Sequence, residues 1–310
     1  MDTKFSGYPD IGSIQPGRLI KYRVSVDRFA AEVLLPGFSY TDFDKKIGGK
    51  LSLWCLAKLL ECVGSVVIGN FFAPTYITKD TTLFVATRRI EFKPLFYQKR
   101  FLYEACCGVA TPLRFYYYVS HIGNTSYTVT HEWIDNKTGE LIVKSSTKAV
   151  LVNKTTRKPK PIPDMHGLNE HRQCIKDNTV LEKPDPVVIP DNAFKHTLKA
   201  LHSECDSNDH INQASYVSWC SDAASLGAIR GHFKNYTKHI ERYQMKDIVV
   251  HYLGEAHANN IVTVNVWEGG KSGKQLMFAV LVCEKVVFFM HVDMYDSLPV
   301  DVSPHLESML

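Results

Sequence analysis

The sequence predicts an α+β protein built from two copies of one unit, each a curved antiparallel sheet wrapped around a central helix. Three observations predict it. Two segments, residues 51–67 and 212–226, carry apolar residues around most of a helix's girth and leave only a narrow polar stripe. Each is preceded by a strand-like stretch and followed by several runs rich in Val, Ile, Thr, Tyr and Phe with turn residues between them. The two helices start about 160 residues apart, one ordinary domain length. A sheet that must cover a helix apolar on nearly all sides has to curve around it.

In order along the chain, a strand-like stretch at 18–26 leads through a Pro/Gly/Asp-rich segment into the first helix, whose polar stripe is Lys58, Glu61 and Ser65. Strand patterns follow at 82–93, 101–109, 113–122, 127–134 and 141–152, and the run Asp135-Asn136-Lys137-Thr138-Gly139 turns the last pair into a hairpin. Prolines at 159, 161, 163, 184, 186 and 190 mark an extended connector. The second copy starts with a strand at 194–202 and enters the second helix, with Ser215, Ser218, Asp222 and Ser225 as its polar stripe. Strands at 246–256, 261–268, 275–285 and 286–292 complete it, with Gly269 to Gly273 as a turn. The expected divisions are a first domain over 1–162, a connector over 163–193 and a second domain over 194–310.

Composition bounds the function. At 310 residues, 45% hydrophobic and 22% charged, the chain is globular, and a net charge of +4 without a basic stripe or arginine-rich tail argues against a nucleic-acid partner. The 8 cysteines include no C-x-x-C pair and have mostly apolar neighbours, which reads as reduced, buried thiols in a cytoplasmic type of compartment. The amino terminus shows neither a secretory nor an organellar address. The longest apolar run, 51–72, is interrupted by Lys58 and Glu61, so a core helix is expected in place of a membrane span.

The densest chemistry lies at 203–219, SECDSNDHINQASYVSW. Asp206, Asn208 and His210 alternate just before the second helix, so in an extended segment all three side chains emerge on one side. That groups a carboxylate, a carboxamide and an imidazole at a helix N-terminus, where unpaired N–H groups and the helix dipole favour developing negative charge. The grouping suits acyl transfer. Taken singly, Asp206 and Asn208 are equally what a helix cap looks like. No G-x-S-x-G is present, Gly269 to Gly273 lacks the lysine and following helix of a phosphate loop, and a metal site at Asp206, His210 and Glu255 lacks a second histidine at ligand spacing.

A curved sheet around a helix, twice over, is a pair of hotdog domains, and the chain resembles the acyl-ACP thioesterases of plants and bacteria. The resemblance rests on three places. Asp206-Ser207-Asn208-Asp209-His210-Ile211-Asn212 with Tyr216 and Trp219 is similar to the family's D-x-N-x-H-V-N-N-x-x-Y-x-x-W. Val250 to Ala256 is similar to the strand bearing the family's catalytic glutamate, here Glu255. Trp133-Ile134-Asp135 with Thr138-Gly139-Glu140, and Val152 to Arg157, are similar to the end of the first hotdog. Ala256 stands where many plant members have cysteine, and Gln213 replaces the second asparagine of the N-N pair.

The resemblance implies two tandem hotdog domains and a thioester hydrolase of fatty acid biosynthesis, free of metal and cofactor, that cleaves acyl carrier protein thioesters. Acyl-CoA is the alternative donor. It gives Asp206 and Glu255 the water-activating and charge-tuning roles, with Asn208 to hold water or the carbonyl and His210 to relay a proton. Backbone N–H groups at Ile211 to Gln213 would form the oxyanion site. It assigns the acyl chain to the first hotdog, lined by Trp54, Leu59 and Val63, and substrate contact to Asn212. Lys144, Lys148, Lys154, Arg157, Lys158 and Lys160 would face an acidic carrier protein or the phosphates of coenzyme A. Oligomeric state, including a homodimer, stays open. Two rivals are a hotdog dehydratase acting on 3-hydroxyacyl thioesters and a non-catalytic acyl-binding protein.

Overall fold

The structure is a computed structural model that describes residues 4–44, 50–67, 70–99, 101, 111–165, 167–175, 178–206, 209–270 and 273–296. In chain order its strands begin with β1 (Lys21–Val24), β2 (Ala30–Leu35), β3 (Phe43–Asp44), β4 (Lys50–Leu51), β5 (Thr81–Phe92), β6 (Leu113–Ile122), β7 (Ser126–Ile134) and β8 (Leu141–Asn153). They continue with β9 (Phe194–Lys199), β10 (Met245–Tyr252), β11 (Ile261–Gly269), β12 (Gln275–Val282) and β13 (Lys285–Met294). The chain divides into two compact units, residues 1–38, 60–90 and 103–182, and residues 39–59, 91–102 and 183–310.

In the first unit the sheet order is β1-β2-β6-β7-β8-β5; in the second it is β10-β13-β12-β11-β9. Leaving out the extra edge strand β1, the two orders are the same when read from the strand before the helix. β2, β6, β7, β8 and β5 correspond to β9, β11, β12, β13 and β10. The expected duplication is therefore present in the strand order, and each half is an antiparallel sheet around a helix.

The first central helix, Leu53–Val67, is capped by Ser52, whose Oγ accepts the Cys55 N–H at 3.2 Å. Leu56, Leu60, Val63 and Val67, at steps of three and four, are its buried stripe. The second, Gln213–Ile229, is capped by Asn212, whose Oδ1 accepts the Ala214 N–H at 2.8 Å. It is buried on nearly every side, and its serines are part of that burial: Ser215, Ser221 and Ser225 are all covered. Of the expected polar stripe, Asp222 is exposed and Ser218 half-buried, while covered serines of the helix bond flanking loops. Ser225 Oγ accepts the Ile240 N–H at 3.1 Å, and Ser221 Oγ donates to the Glu241 carboxylate.

Several elements differ from expectation. β2 is a strand the sequence pattern hides, because all six residues are buried and none of the polar/apolar alternation of a half-buried strand remains. A short helix, Pro94–Gln98, follows β5, opened by a proline at its first turn. The strand expected at 101–109 lies outside the described residues apart from Phe101. Within the proline-rich stretch a helix, Leu168–Cys174, forms where no proline interrupts. Its Leu168 is buried, and three residues on His171 stacks on Phe29 at 4.0 Å between ring centroids. The cysteines are not uniformly buried: Cys220 is, but Cys62, Cys174 and Cys283 are exposed. Cys62 shares the outer stripe of its helix with Lys58 and Ser65. The described residues include no helix long and apolar enough to cross a membrane.

Candidate active site

The second unit brings two loops together at the start of its central helix. In the first, 204–212, the described residues fold back on themselves and do not form the extended segment that the alternation suggested. Asp206 N–H donates to the His210 carbonyl at 2.7 Å, Asp209 N–H to the Asp206 carbonyl at 3.1 Å, and His210 N–H to Asp206 Oδ1 at 3.3 Å. Asp209 takes the left-handed conformation, φ 60°, that closes this turn. Asp206 and His210 thus approach by folding back. Asn208 lies outside the described residues.

The second loop follows β10. The expected strand over 246–256 ends at Tyr252, and Glu255 stands beyond it, where Leu253 and Gly254 N–H both bond the Val287 carbonyl at 2.9 Å. A side chain at Gly254 would put its Cβ 3.1 Å from Val287 Cγ1, so this close approach needs glycine. Two bonds tie this loop to the first and to the helix. Ile211 N–H donates to the Ala256 carbonyl, and Ala256 N–H donates to the Tyr216 hydroxyl, both at 2.9 Å. The result sets His210 Nδ1 3.7 Å from Glu255 Oε1, with the two side chains 32% and 26% exposed, open enough for water to reach them.

Sequence reasoning missed Glu204. Glu204 accepts the Trp219 indole N–H at 2.7 Å and the Leu201 N–H at 2.7 Å, while its own carbonyl accepts the Asn212 N–H at 2.8 Å. It is the brace between turn and helix. The available signal was Trp219, whose buried N–H has to find an acceptor. His257, on the surface, packs edge-on to His210 at 5.1 Å between centroids, and its Nδ1 lies 3.2 Å from the Asp209 carbonyl. It is also the second histidine whose lack argued against a metal. One donor atom each from His210, Glu255 and His257 lie within 4.8 Å of one another, so these three could hold a divalent ion. Tetrahedral zinc ligands stand about 3.3 Å apart, and the set would have to tighten by roughly 1 Å or more.

The oxyanion assignment changes. Of the three N–H groups expected to serve it, Ile211 and Asn212 are already bonded to Ala256 and Glu204. Gln213, the first residue of the helix, has no acceptor for its N–H among the described residues. Past the end of β5 come Lys93, Pro94 and Leu95, with no acid in the place that Glu255 takes beyond β10. On the first helix, Trp54 is 38% exposed with the Lys58 ammonium 4.1 Å from its ring centre, Leu59 is half-buried and Val63 is fully buried. Of the basic residues, Lys154, Arg157, Lys158 and Lys160 are exposed, whereas Lys148 gives its ammonium to the Leu181 carbonyl at 2.9 Å.

An antiparallel sheet around a buried helix, twice in one chain, is also what solved acyl-ACP thioesterases contain. The structure matches an acyl-ACP thioesterase from Bacteroides thetaiotaomicron with a TM-score of 0.62 and 16% identity, over 86% of this chain and 98% of that one. It matches the 12:0-ACP thioesterase from Umbellularia californica with a TM-score of 0.64 and 15% identity, over 90% and 98%. The fold is that of the acyl-ACP thioesterases. In sequence, the chain is similar to the chloroplastic palmitoyl-acyl carrier protein thioesterase of Gossypium hirsutum, 28% identical over 108 residues, 33% of this chain and 26% of that protein. The Arabidopsis thaliana protein of the same name is 24% identical over 140 residues, 42% of this chain and 31% of its own length. These matches span a quarter to a third of the curated relatives. No family model matches the chain.

Proposed function

We propose that this chain is a thioester hydrolase that cleaves a fatty acyl thioester of acyl carrier protein to the free acid. The observation that carries the reading is the 3.7 Å approach of His210 Nδ1 to Glu255 Oε1 beside the Asp206 turn, at the N-terminus of a buried helix. A water held between the Glu255 carboxylate and the imidazole can lose its proton to one while the other orients it. The thioester carbonyl would meet the Gln213 N–H at the positive end of the helix, which supports the oxyanion of the tetrahedral intermediate. Asp206 braces the turn through the His210 N–H and adds its charge to the imidazole, and Asn208 completes the set by the motif it occupies. Asn212 acts through its cap, fixing the first turn that faces the substrate. In this reading, which the resemblance suggests, the acyl chain would lie against Trp54, Leu59 and Val63 and the carrier would meet Lys154, Arg157, Lys158 and Lys160. A reducing compartment of cytoplasmic type suits the six described cysteines, all free thiols.

The test is thiol release from acyl-ACP and acyl-CoA panels, followed with a chromogenic thiol reagent. Glu255→Gln and His210→Ala are each expected to lower kcat by about 100-fold or more with the fold retained. Wild-type rates in both variants overturn the assignment. EDTA is expected to leave the rate unchanged, and enoyl product without thiol would support a dehydratase.

A further inference from the structure

Most buried polar side chains of the first unit are matched. Glu32, 1% exposed, takes Arg23 Nε at 2.8 Å and lies 3.5 Å from Arg114 Nε. Ser120, Thr130 and Ser146 bond one another through hydroxyls 2.8 and 2.9 Å apart. One group differs. Arg88 on β5, 6% exposed, gives Nε to Thr147 Oγ1 at 3.0 Å and meets no carboxylate among the described residues. His131 on β7, 3% exposed, has neither ring nitrogen in good hydrogen-bond geometry with a partner, and Ser145 Oγ is equally unmatched.

These residues form one row. Tyr117, His131 and Ser145 are directly opposed in register across β6, β7 and β8, and Thr147 shares the Ser145 face two residues on. Tyr117 packs edge-on to His131 at 4.6 Å, and the central helix passes overhead at Gly64, where a Cβ would stand 3.8 Å from His131 Nε2. Tyr117 is half-buried, and its hydroxyl has no partner among the described residues. Burial first, and the Arg88 charge second, press the His131 pKa down to about 3 against the Ser145 backbone, so the imidazole is neutral and keeps one N–H to give. Continuing along the same faces are the apolar Tyr127, Val129, Ala149 and Leu151, packed with Phe71 and Phe72.

A buried guanidinium without an acid is unfavourable unless an anion meets it. The groups around it offer donors and no negative charge, which is the complement of a carboxylate with its four lone pairs. We propose that the Arg88, His131, Ser145 and Tyr117 row binds the carboxylate of a long-chain aliphatic acid, whose chain lies along the apolar cluster of the first unit. That carboxylate comes from a free fatty acid or from the far end of an ω-carboxyacyl thioester.

The experiment titrates the full chain with palmitate, 1-hexadecanol and inorganic phosphate by displacement of a fluorescent fatty acid. It needs no turnover, so it stands or falls apart from the hydrolase reading. Palmitate is expected to bind at least tenfold more tightly than hexadecanol. Arg88→Met is expected to weaken palmitate tenfold or more with hexadecanol unchanged, and to raise the melting temperature of the unliganded protein. Should that variant not fold, Ser145→Ala, which keeps the charge, is expected to weaken palmitate about threefold. A kcat/KM advantage for an ω-carboxyacyl thioester over its plain counterpart, lost in Arg88→Met, supports the site with substrate as its source; inhibition by free palmitate alone supports it with product as its source. Equal affinity for acid and alcohol, unchanged palmitate binding in Arg88→Met or Ser145→Ala, or displacement by phosphate alone overturns it.

Discussion

Tyr216→Phe isolates one atom that joins the second helix to the glutamate loop. The hydroxyl accepts the Ala256 N–H at 2.9 Å, and Ala256 is fully buried, so no water replaces the lost acceptor. The ring itself stays: it stacks on Phe288 at 5.1 Å and meets Trp219 edge-on at 5.2 Å, and phenylalanine keeps both contacts. What remains is the cost of an orphaned buried amide, about 1–3 kcal/mol. Urea unfolding should show this as a lower midpoint with an unchanged slope. Because Ala256 follows Glu255, releasing its amide also loosens the carboxylate, and kcat is expected to fall by about tenfold. Burial holds the tyrosine pKa up to about 12, so the hydroxyl keeps its proton throughout the assay range and the defect should not vary between pH 6 and 9. A stability loss under about 0.5 kcal/mol together with wild-type kcat would refute the claim that this bond positions the loop.

Other perturbations test the surrounding structure. Glu204→Gln sets an amide N–H₂ against the Trp219 or Leu201 N–H in place of an acceptor, and is expected to cost about 1–3 kcal/mol and to shift the tryptophan emission. Gly227→Ala puts a Cβ 2.7 Å from Phe233 Cε2 and 3.1 Å from Phe194 Cδ1. Overpacking of about 1–3 kcal/mol should exceed the helix-propensity gain of about 1, and urea denaturation would show net destabilisation. His171 and His251 both have pKa values pressed down to about 4, chiefly by burial. Their folded values lie below the unfolded one, so the stability they contribute is complete above about pH 6.5 and is lost as pH falls toward 4. The 4.0 Å contact of His171 with Asp27 is accordingly no ion pair at neutral pH. His171→Phe, which keeps a ring on Phe29, should flatten the acid limb of stability by on the order of 1–3 kcal/mol, and an unchanged limb measured by thermal melts would count against it.

Legibility in the sequence followed the physics of each element. β7 and β8 were located to within a residue by their Val, Thr, Tyr and Ile content and by the turn between them, although β7 is buried along almost its whole length. β2 escaped because it too has no period to read, and its Ala-Ala-Glu-Val-Leu-Leu run lacks the Thr, Tyr and Ile that marked β7. The candidate site divides the same way. Asp206 and His210 were visible as neighbours in the chain, but their approach comes from a left-handed residue at Asp209 and not from strand alternation. His257 was present in the sequence two residues past Glu255, yet its approach to His210 depends on β10 ending at Tyr252, a boundary that tertiary bonds to Val287 set. Those bonds are long-range, and local pattern carries no trace of them.

The two units share a strand order and differ in what their sheets hold, and the difference bears on function. In the second unit the central cross-strand rows are Val264, Val280 and Phe288, and Val266, Phe278 and Met290, every one buried and apolar. Its candidate catalytic groups stand outside those rows, on loops braced by Glu204 and Tyr216. Among the described residues, the buried polar groups of its sheet, Asp247, His251 and Asn265, are not directly opposed to one another. In the first unit the row across the corresponding strands is Tyr117, His131 and Ser145, and Arg88 stands near it. An identical topology therefore closes stably over apolar rows, so nothing in the architecture requires the polar ones. Buried groups with unmatched donors weaken a core, and Leu or Val at 131 and 145 would relieve that cost. Among the described residues, the row of Tyr117, His131 and Ser145 has no polar counterpart in the Val264 and Val266 rows of the other copy, as a ligand-binding interior requires and a purely structural interior would discard.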